Sequence, residues 1–259
     1  MAGRPKRLSI IIPSFNDARI FQAIDSVRAF DDSGEVEIVL IDGGSKPELV
    51  AQIAERMTED DVFVSERDKG IFDALNKGLA AARGEFIGWI GSDDAFTGEV
   101  KSREVIENLE ACDLYVAATA HVSGEAVTRI TRSWSSRRRL THLVINNPHF
   151  STFGRAALLK SERFALDLRG SDIAYFLRIF AQQPRVRTTP KIATFMEVGG
   201  YSNLNYKTSL RMHAELFTTH RRYMPAPLAF AALATKLGTK YLASLIFKLR
   251  GETRQTILK

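Results

Sequence analysis

The sequence predicts an α/β fold with a mainly parallel central sheet and helices on both faces. Over the first hundred residues, short apolar segments typical of buried strands alternate with segments whose apolar residues recur at helical spacing. Each apolar segment also ends in a polar loop, and repeated strand–helix units of this kind form right-handed crossovers between parallel strands. Because ligands of such sheets gather beyond the carboxyl ends of the strands, these loops are the first candidates for a site.

The first hundred residues contain the most regular elements. Strands are expected at residues 8–12, 36–41, 62–64 and 86–90. Apolar residues at helical spacing follow the first three strands: Ile20, Ile24 and Val27; Leu49, Val50, Ile53 and Met57; and Ile71, Leu75 and Leu79. Asn16 or Asp17 is placed to cap the first helix. Ser45 and Glu48 have the spacing of a capping box with Pro47 in the first turn, so the second helix is expected to begin there.

The second half of the sequence is less regular. Strands are predicted at 113–118 and 126–131, an arginine-rich segment continues to about 147, a helix begins near Ser171-Asp172, and residues 186–195 are expected to be extended. A polar helix at about 205–223 and a last helix at about 228–250 follow. We therefore predict one large domain over residues 1–204 and a helical extension over residues 205–259.

The composition of the 259-residue chain is that of a globular protein, with 45% hydrophobic and 25% charged residues. The single cysteine, Cys112, excludes an internal disulfide, and the five scattered histidines leave no zinc-type cluster. The apolar run at 8–12 is shorter than the roughly 7–15 residues of a signal-peptide core. No span reaches the ~18 apolar residues of a transmembrane helix, so the expected location is cytoplasmic.

The net charge of +6 fits an anionic partner. No interleaving of basic and aromatic residues and no helix-turn-helix pattern indicates binding to nucleic acid, which is therefore not an expected partner. The last predicted helix carries leucines along one side with Lys236, Lys240 and Lys248 beside them. Such a helix can pack on the domain, lie on an anionic membrane surface or pair with a second copy of the chain, and all three interpretations stay open.

Two adjacent carboxylates, Asp93 and Asp94, stand where the fourth predicted strand ends. They are costly at the end of a buried strand unless a cation neutralises them, and oxygen ligands suit Mg²⁺ or Mn²⁺. One interpretation is a divalent ion that holds a diphosphate, which points to a nucleotide-linked substrate. The alternative is a solvated turn whose aspartates cap the next helix. The chain has no dinucleotide-binding G-x-G-x-x-G after the first strand and no P-loop motif.

Seven groups of residues follow one another in a recognisable order: Ile11-Ile12-Pro13-Ser14-Phe15-Asn16, Ile41-Asp42-Gly43-Gly44-Ser45, the stretch 66–78, Gly91-Ser92-Asp93-Asp94, Asn147-Pro148-His149-Phe150, Gly170-Ser171-Asp172 and Gly199-Gly200-Tyr201-Ser202. This order resembles the family 2 glycosyltransferases, which are inverting sugar transferases with the Rossmann-like GT-A fold. The likeness covers roughly residues 7–205 and is greatest to bacterial enzymes that build surface polysaccharides. It implies a GT-A catalytic domain over 1–204, with a donor half at 7–110 and an acceptor half at 111–204.

The resemblance also implies a role for each matching position. The donor nucleotide sugar is expected to contact Pro13, Phe15, Asn16, Asp42, Arg67, Asp68, Asn76, Lys77 and Ser92. Asp93 and Asp94 are expected to bind Mn²⁺ or Mg²⁺, Asp172 to be the catalytic base, and His149 to lie near the acceptor or the diphosphate. The chain departs from the common Asp-x-Asp-Asp pattern because Gly91 stands at the first acidic position. Which aspartate is the direct ligand is therefore open.

The activity implied by the resemblance is metal-dependent, inverting transfer of a sugar from a nucleoside diphosphate to a saccharide acceptor, expected to be lipid-linked, in polysaccharide biosynthesis. From the residues alone, Ser171 or Asp172 is more readily a helix cap, and Asp167 and Glu162 are competing carboxylates. A nucleotidyltransferase is a weaker alternative, because the loop after the first strand lacks a glycine-rich basic motif. A non-catalytic binder of nucleotide sugars also stays open because of Gly91.

Overall fold

The structure is a computed structural model that describes residues 6–132, 149–168, 170–198, 214–218, 220–222, 225–231 and 233–234. The strands are Leu8–Ser14 (β1), Val36–Asp42 (β2), Val62–Ser65 (β3), Phe86–Trp89 (β4), Ala95–Phe96 (β5), Leu114–Ser123 (β6), Ala126–Thr131 (β7), Thr152–Arg155 (β8) and Val186–Glu197 (β9). The helices are Ile20–Phe30 (α1), Pro47–Arg56 (α2), Ile71–Ala81 (α3), Ser102–Ala111 (α4), Ala156–Leu159 (α5) and Ser171–Ala181 (α6), and His149–Ser151 forms a 3₁₀ turn.

In the part of the chain that the structure describes, all nine strands join one sheet in the order β3-β2-β1-β4-β8-β6-β9-β5, with β7 paired to β6. Strands β1 to β4 are parallel to one another, as the strand–helix alternation predicts. Strand β8 is antiparallel to both β4 and β6, and β9 is parallel to β6. Since β8 is antiparallel to both of its neighbours, β6 runs in the same direction as β4, and so does β9. The carboxyl ends of β6 and β9 therefore lie at the same edge of the sheet as those of β1 to β4.

The core lies on both faces of the sheet. Successive residues of β1 alternate between the faces, so that Ile10 and Ile12 belong to one apolar cluster and Ile11 to the other. Helices α1, α2 and α4 contribute to the first cluster, and α3, α5 and α6 to the second. Trp89 is a core residue, since its ring packs edge-on against Phe164 and Tyr175 with centroids 6.1 Å apart in each pair. This packing holds α6 against the end of β4.

Both predicted helix caps are wrong. The residue before α2 is Lys46, and no side chain caps the helix. Ser45 instead donates its hydroxyl to Asp42 and accepts the backbone N–H of Asn16. Helix α1 begins after Arg19 without a side-chain cap, although Asp17 accepts the backbone N–H of that residue at 3.0 Å. Ser45 makes a contact between two loops, and Asp17 makes an ion pair with Arg19. The spacing of these residues in the sequence does not reveal either contact.

Four strands and helices of the structure lie outside the sequence predictions. They are β5, α4, β8 and α5, which are short or interrupt the strand–helix alternation. The motif residues at 199–202 lie outside the described residues, and so does the arginine-rich segment from residue 133 to about 147. Of the helices predicted at about 205–223 and 228–250, helical residues are described only at 214–218, 220, 226–231 and 233–234. None of the helices in these described ranges is long and apolar enough to span a bilayer.

A buried carboxylate ties β1, β2 and the start of β4 together. Glu37 has no exposed surface, and one of its oxygens accepts the Ser9 hydroxyl at 2.6 Å and the Arg83 backbone N–H at 2.7 Å. Its other oxygen accepts Arg83 Nε at 2.7 Å, while Ser9 accepts the N–H of Gly84 at 2.9 Å. The three donors that face Glu37 therefore require a carboxylate, because an amide at this position would turn its NH₂ group toward at least one of them.

We expect Glu37→Gln to lower the free energy of unfolding by about 2 kcal/mol, because an amide NH₂ group must then face an N–H donor in a buried site. Urea unfolding followed by circular dichroism measures this change. The matched control is Glu85→Gln, which removes a 63% exposed partner of Arg7 and should cost at most about 1 kcal/mol. Equal losses in the two variants would show that the Glu37 network does not stabilise the sheet.

Candidate active site

The loops after β1, β2 and β3 are joined by a fully buried carboxylate. Asp42 accepts the N–H groups of Gly44 and Ser45 at 3.1 and 2.9 Å and the hydroxyl of Ser65 at 2.8 Å. Its other oxygen accepts the Ser45 hydroxyl. All of these bonds are internal, so Asp42 shapes the loop that faces a ligand rather than presenting a free carboxylate.

The loop after β1 is held to the loop after β2 by Asn16. Its backbone N–H donates to the Ser45 hydroxyl at 2.7 Å, and its amide oxygen accepts the N–H of Lys46 at 3.0 Å. The positive φ of +49° at Asn16 belongs to the left-handed region that asparagine tolerates well. Pro13 is buried in β1, whereas Phe15 is 61% exposed beside the loop. The aromatic ring of Phe15 is therefore available to a ligand.

Asp68 approaches the loop after β2 closely because residue 43 is a glycine. A Cβ atom on Gly43 would lie 2.6 Å from Asp68 Oδ2, and Asp68 Oδ1 accepts the N–H of Gly70 at 2.8 Å. The neighbouring Arg67 is exposed and forms no ion pair with any described residue. The charged loop after β3 thus faces the loop after β2. It carries a fixed carboxylate, that of Asp68, and an exposed guanidinium, that of Arg67, which is available to an anion.

The two predicted donor residues on α3 have different environments. Asn76 donates to the Phe164 carbonyl and accepts the Phe164 N–H, both at 2.9 Å, so its amide joins α3 to the segment that precedes α6. Lys77 forms ion pairs with Glu66 at 2.7 Å and Asp73 at 3.6 Å, and its hydrogen bond to Glu66 raises the pKa of the lysine. In this structure the Asn76 amide serves the packing of α3 against that segment.

Asp93 and Asp94 lie at the end of β4 but differ in exposure. Asp94 is 4% exposed, and its oxygens accept the N–H of Glu197 at 2.9 Å and the N–H of Gly91 at 3.3 Å. Burial, followed by the neighbouring charge of Asp93, raises the pKa of Asp94 to about 7. Burial also raises the pKa of Asp93, whose side chain is 22% exposed. Asp93 is thus the more accessible of the two carboxylates.

The glycine at position 91 is explained by this close packing. A Cβ atom there would lie 2.6 Å from Asp94 Oδ2 and 3.0 Å from Asp93 Oδ1. Any side chain at position 91 would push one or both carboxylates out of place. The glycine that replaces the common acidic residue at position 91 therefore allows the side chains of both aspartates to pack against the backbone of their own turn.

A cavity of about 290 Å³ opens beside the aspartates. Its lining residues are Arg19, Gln22, Asp93, Asp94, Ala95, Gly124, Phe195 and Glu197. Arg19 donates to both oxygens of Asp17 at 2.9 and 2.7 Å and lies 3.6 Å from Asp93 Oδ2. The predicted donor residue Ser92 lies beside the same pair, with its hydroxyl 3.4 Å from Asp17.

Two lining residues were missed by sequence reasoning. Glu197 ends β9 and accepts the N–H of Gly124 at 2.9 Å, so it connects the aspartates to the β6–β7 turn. Its signal in the sequence is weak, since a single glutamate at the end of an extended segment is common. Arg19 stands two residues after Asp17 and lacks a motif of its own. Arg19 follows β1, and Glu197 ends β9, so the common direction of β1, β4, β6 and β9 is what brings these side chains together.

The donor set fits a hard divalent cation. Asp93 and Asp94 are adjacent carboxylates in a partly buried site, where the half-exposed Arg19 lies beside Asp93. No group of three acidic, histidine or cysteine side chains among the described residues is arranged to hold a metal by itself. A cation at this site would therefore need oxygen ligands from a bound diphosphate or from water as well.

The structure also brings together His149 and Asp172, two of the site residues named from the sequence. His149 Nδ1, in the 3₁₀ turn, lies 3.6 Å from Asp172 Oδ2, and both side chains are 27% exposed. Asp172 stands in the first turn of α6, where the helix dipole favours its negative charge. The helix begins after Gly170 and has no side-chain cap, so the helix-cap interpretation is wrong. Burial lowers the pKa of His149, against the opposing effect of Asp172.

The competing carboxylates are placed differently. Glu162 forms an ion pair with Arg178 at 2.7 Å, and Asp167 is exposed on the surface.

The turn that carries His149 packs on a cluster of buried hydroxyl groups. Ser151 Oγ lies 2.7 Å from both Thr119 Oγ1 and Thr194 Oγ1. Strands β6 and β9 therefore position the turn that places His149 next to Asp172.

Comparison with known proteins identifies the family. The profile described as "Glycosyl transferase family 2" matches residues 9–165. A PGL/p-HBAD biosynthesis glycosyltransferase of Mycobacterium bovis is 31% identical over 209 residues, which cover 75% of this chain and 78% of the relative. An uncharacterized glycosyltransferase of Mycobacterium tuberculosis is 36% identical over 103 residues, and this match spans only 39% of that relative's length.

Solved structures show the same fold at low sequence identity. Staphylococcus aureus TarS (residues 1–349), in complex with UDP-GlcNAc, has a TM-score of 0.65 and 18% identity over 89% of this chain and 71% of its own. The mannosyltransferase PcManGT of Pyrobaculum calidifontis, in complex with GDP-Man and Mn²⁺, has a TM-score of 0.59 and 20% identity, covering 94% and 72% respectively. The predicted GT-A fold is thus confirmed, and the chain belongs to glycosyl transferase family 2.

Proposed function

We propose that this chain transfers a sugar from a nucleoside diphosphate donor to a saccharide acceptor with inversion at the anomeric carbon. The observation that carries the proposal is the convergence, at one edge of the sheet, of the donor loops, the aspartate pair and the His149–Asp172 pair. The nucleotide sugars bound by TarS and PcManGT support the same class of donor. The identity of the base and sugar is left to the experiment below.

On the donor side, each loop has a distinct task. The exposed Phe15 ring offers a stacking surface to the base, and Asp68 offers a carboxylate oxygen to the base or the ribose. Arg67 offers an exposed guanidinium, without an ion-pair partner among the described residues, to an anionic group of the donor. Asp42 and Asn16 keep the loops in place through the bonds described above.

The donor diphosphate is assigned to the cavity beside Asp93 and Asp94. We assign Asp93 as the direct ligand of Mn²⁺ or Mg²⁺, because both oxygens of Asp94 already accept backbone N–H groups. When bound, the cation neutralises the charge that develops on the leaving diphosphate. Arg19 lies where it can approach the same phosphates.

On the acceptor side, Asp172 is assigned as the general base. The acceptor hydroxyl oxygen forms a bond to the anomeric carbon while the bond between that carbon and the diphosphate oxygen breaks. The hydroxyl proton passes to Asp172, and the nucleoside diphosphate leaves with the electron pair. His149 lies close enough to orient the carboxylate of Asp172.

We further propose that the acceptor is a lipid-linked saccharide of surface polysaccharide biosynthesis and that the enzyme works in the cytoplasm at the inner face of the membrane. The name of the PGL/p-HBAD relative supports a role in glycoconjugate assembly. The helical segment at 226–231 buries Ala229 but leaves Phe230 69% and Leu228 48% exposed. Exposed apolar residues of this kind suit an interface with lipid or with a second copy of the chain.

A donor screen tests the proposed activity. Purified protein is incubated with Mn²⁺ or Mg²⁺ and a panel of UDP-, GDP- and dTDP-sugars, and the release of nucleoside diphosphate is followed. We expect slow, metal-dependent hydrolysis of one donor and its loss in Asp93→Asn. The matched control is Asp25→Asn, which removes an exposed carboxylate paired with Arg56 and should leave hydrolysis unchanged.

The other outcomes separate the alternatives. Metal-dependent binding of one donor without release, even when saccharide acceptors are added, would support a non-catalytic binder. Release of pyrophosphate from a nucleoside triphosphate would support a nucleotidyltransferase. The absence of binding to any nucleotide would overturn the assignment of the donor site.

A further inference from the structure

The chain from β7 onward contains a long stretch that is free of acidic residues. Between Glu125 and Glu162 the sequence contains no aspartate or glutamate, and five arginines lie within residues 126–139. Two of these, Arg129 and Arg132, belong to the described part of the chain. Because β6 runs in the same direction as β4, the hairpin turn lies at the ligand edge of the sheet.

Strand register places a small polar cluster on one face of this hairpin. Thr131 lies opposite Thr119, and Arg129 lies opposite His121 in the next row. Arg129 Nη2 is 3.0 Å from His121 Nε2, which in turn is 2.8 Å from the hydroxyl of Thr131. Arg129, His121 and Thr131 are all partly buried, and the His121 ring lies within hydrogen-bond distance of both the guanidinium, which donates to it, and the Thr131 hydroxyl.

This cluster is linked to the proposed acceptor side. Thr119 stands two residues before His121, about 7 Å away along the same face of a strand. Its hydroxyl lies 2.7 Å from Ser151, in the same 3₁₀ turn as His149. The hairpin that carries Arg129 is therefore connected, through Thr119, to the turn that carries His149.

Arg129 has no carboxylate partner among the described residues. Within that part of the chain its guanidinium makes hydrogen bonds to the ring of His121. A partly buried guanidinium is normally paired with an acidic group, because it loses hydration without compensation. Burial alone lowers the pKa of Arg129, which is consistent with a cation in need of an anion. The fork of an arginine matches the geometry of an oxyanion such as phosphate or carboxylate.

We propose that Arg129, with His121 and Thr131 beside it, forms a subsite for an oxyanion carried by the acceptor, so that the acceptor is an anionic saccharide. This inference rests on the proposed transferase function and adds the charge class of its acceptor. Phosphate and carboxylate share the required chemistry, and the two arms of the experiment distinguish them.

The test is anion binding by the full chain in the absence of any donor. Inorganic phosphate is titrated at constant ionic strength in one arm and acetate in the other, with isothermal calorimetry as the readout. We expect binding in at least one arm and a rise in its dissociation constant of about tenfold or more in Arg129→Gln. Arg129→Lys should keep part of the affinity, since it retains the charge but not the fork.

The matched control is Arg132→Gln, which removes an exposed arginine three residues further along the same hairpin. An equal loss in this control would mean that anions bind to the general positive charge, which overturns the subsite. No binding of either anion by the wild type, or unchanged binding in Arg129→Gln, would also overturn it. Donor hydrolysis by the wild type is scored separately, so failure of the subsite is distinguishable from failure of the transferase proposal.

Discussion

Asp172→Asn is expected to lower the rate of sugar transfer by about 10²–10⁴-fold, the usual contribution of a general base. The amide cannot accept the proton of the acceptor hydroxyl, yet it nearly preserves the shape of the side chain at the start of α6. Donor affinity should stay unchanged because Asp172 belongs to the acceptor side of the site. Single-turnover kinetics and calorimetric titration of the nucleoside diphosphate measure the two quantities.

The control for this prediction is Asp167→Asn, which removes an exposed carboxylate from the same segment. It should leave both transfer and donor binding as they are in the wild type. A similar rate loss in both variants would point to a general charge effect. Undiminished transfer by Asp172→Asn would exclude Asp172 as the base.

Gly91→Ala is expected to weaken metal-dependent donor binding by about 10–100-fold, as other changes that misplace metal ligands do. The new methyl group would meet Asp94 Oδ2 at 2.6 Å and Asp93 Oδ1 at 3.0 Å. Asp94 cannot move away freely, since it is buried and accepts the N–H of Glu197. Titration with Mn²⁺ in the presence of the nucleoside diphosphate, followed by electron paramagnetic resonance, measures the loss.

A second substitution at this position sharpens the test. Gly91→Asp restores the common acidic pattern of the family, and a simple ligand-counting argument predicts tighter metal binding. The packing described here predicts the opposite, because the larger side chain displaces both carboxylates. Tighter Mn²⁺ binding by Gly91→Asp would contradict the role that we assign to the glycine. Thermal unfolding of each variant shows whether the rest of the fold is intact.

The first half of the fold, up to β4, could be predicted well from the sequence. Its strands alternate regularly with helices, and each strand is apolar enough to be recognised from a short window. The predicted segments at 8–12, 36–41, 62–64 and 86–90 correspond to β1 to β4. Their parallel arrangement follows from the crossover helices, so the common edge of the donor loops was also predictable.

The second half of the fold was harder to predict because its strand pairings are non-local. Strand β8 is four residues long and follows the turn that begins at His149, yet it lies between β4 and β6 in the sheet. No local pattern indicates such an insertion. It nevertheless decides that β6 and β9 end at the ligand edge, and hence that Glu197 meets Asp94.

The sequence by itself determined the family, the α/β architecture and the acidic and loop residues from which the site is built. These depend on residue type and on periodicity over short distances. Only the tertiary structure decided how the side chains are used: Asp42 and Asn76 make internal hydrogen bonds, Asp94 is tied to β9, and Arg129 lies opposite His121 without an acidic partner among the described residues. The physical reason is that a hydrogen bond or an ion pair is set by the position of its partner, and here those partners come from other strands and loops.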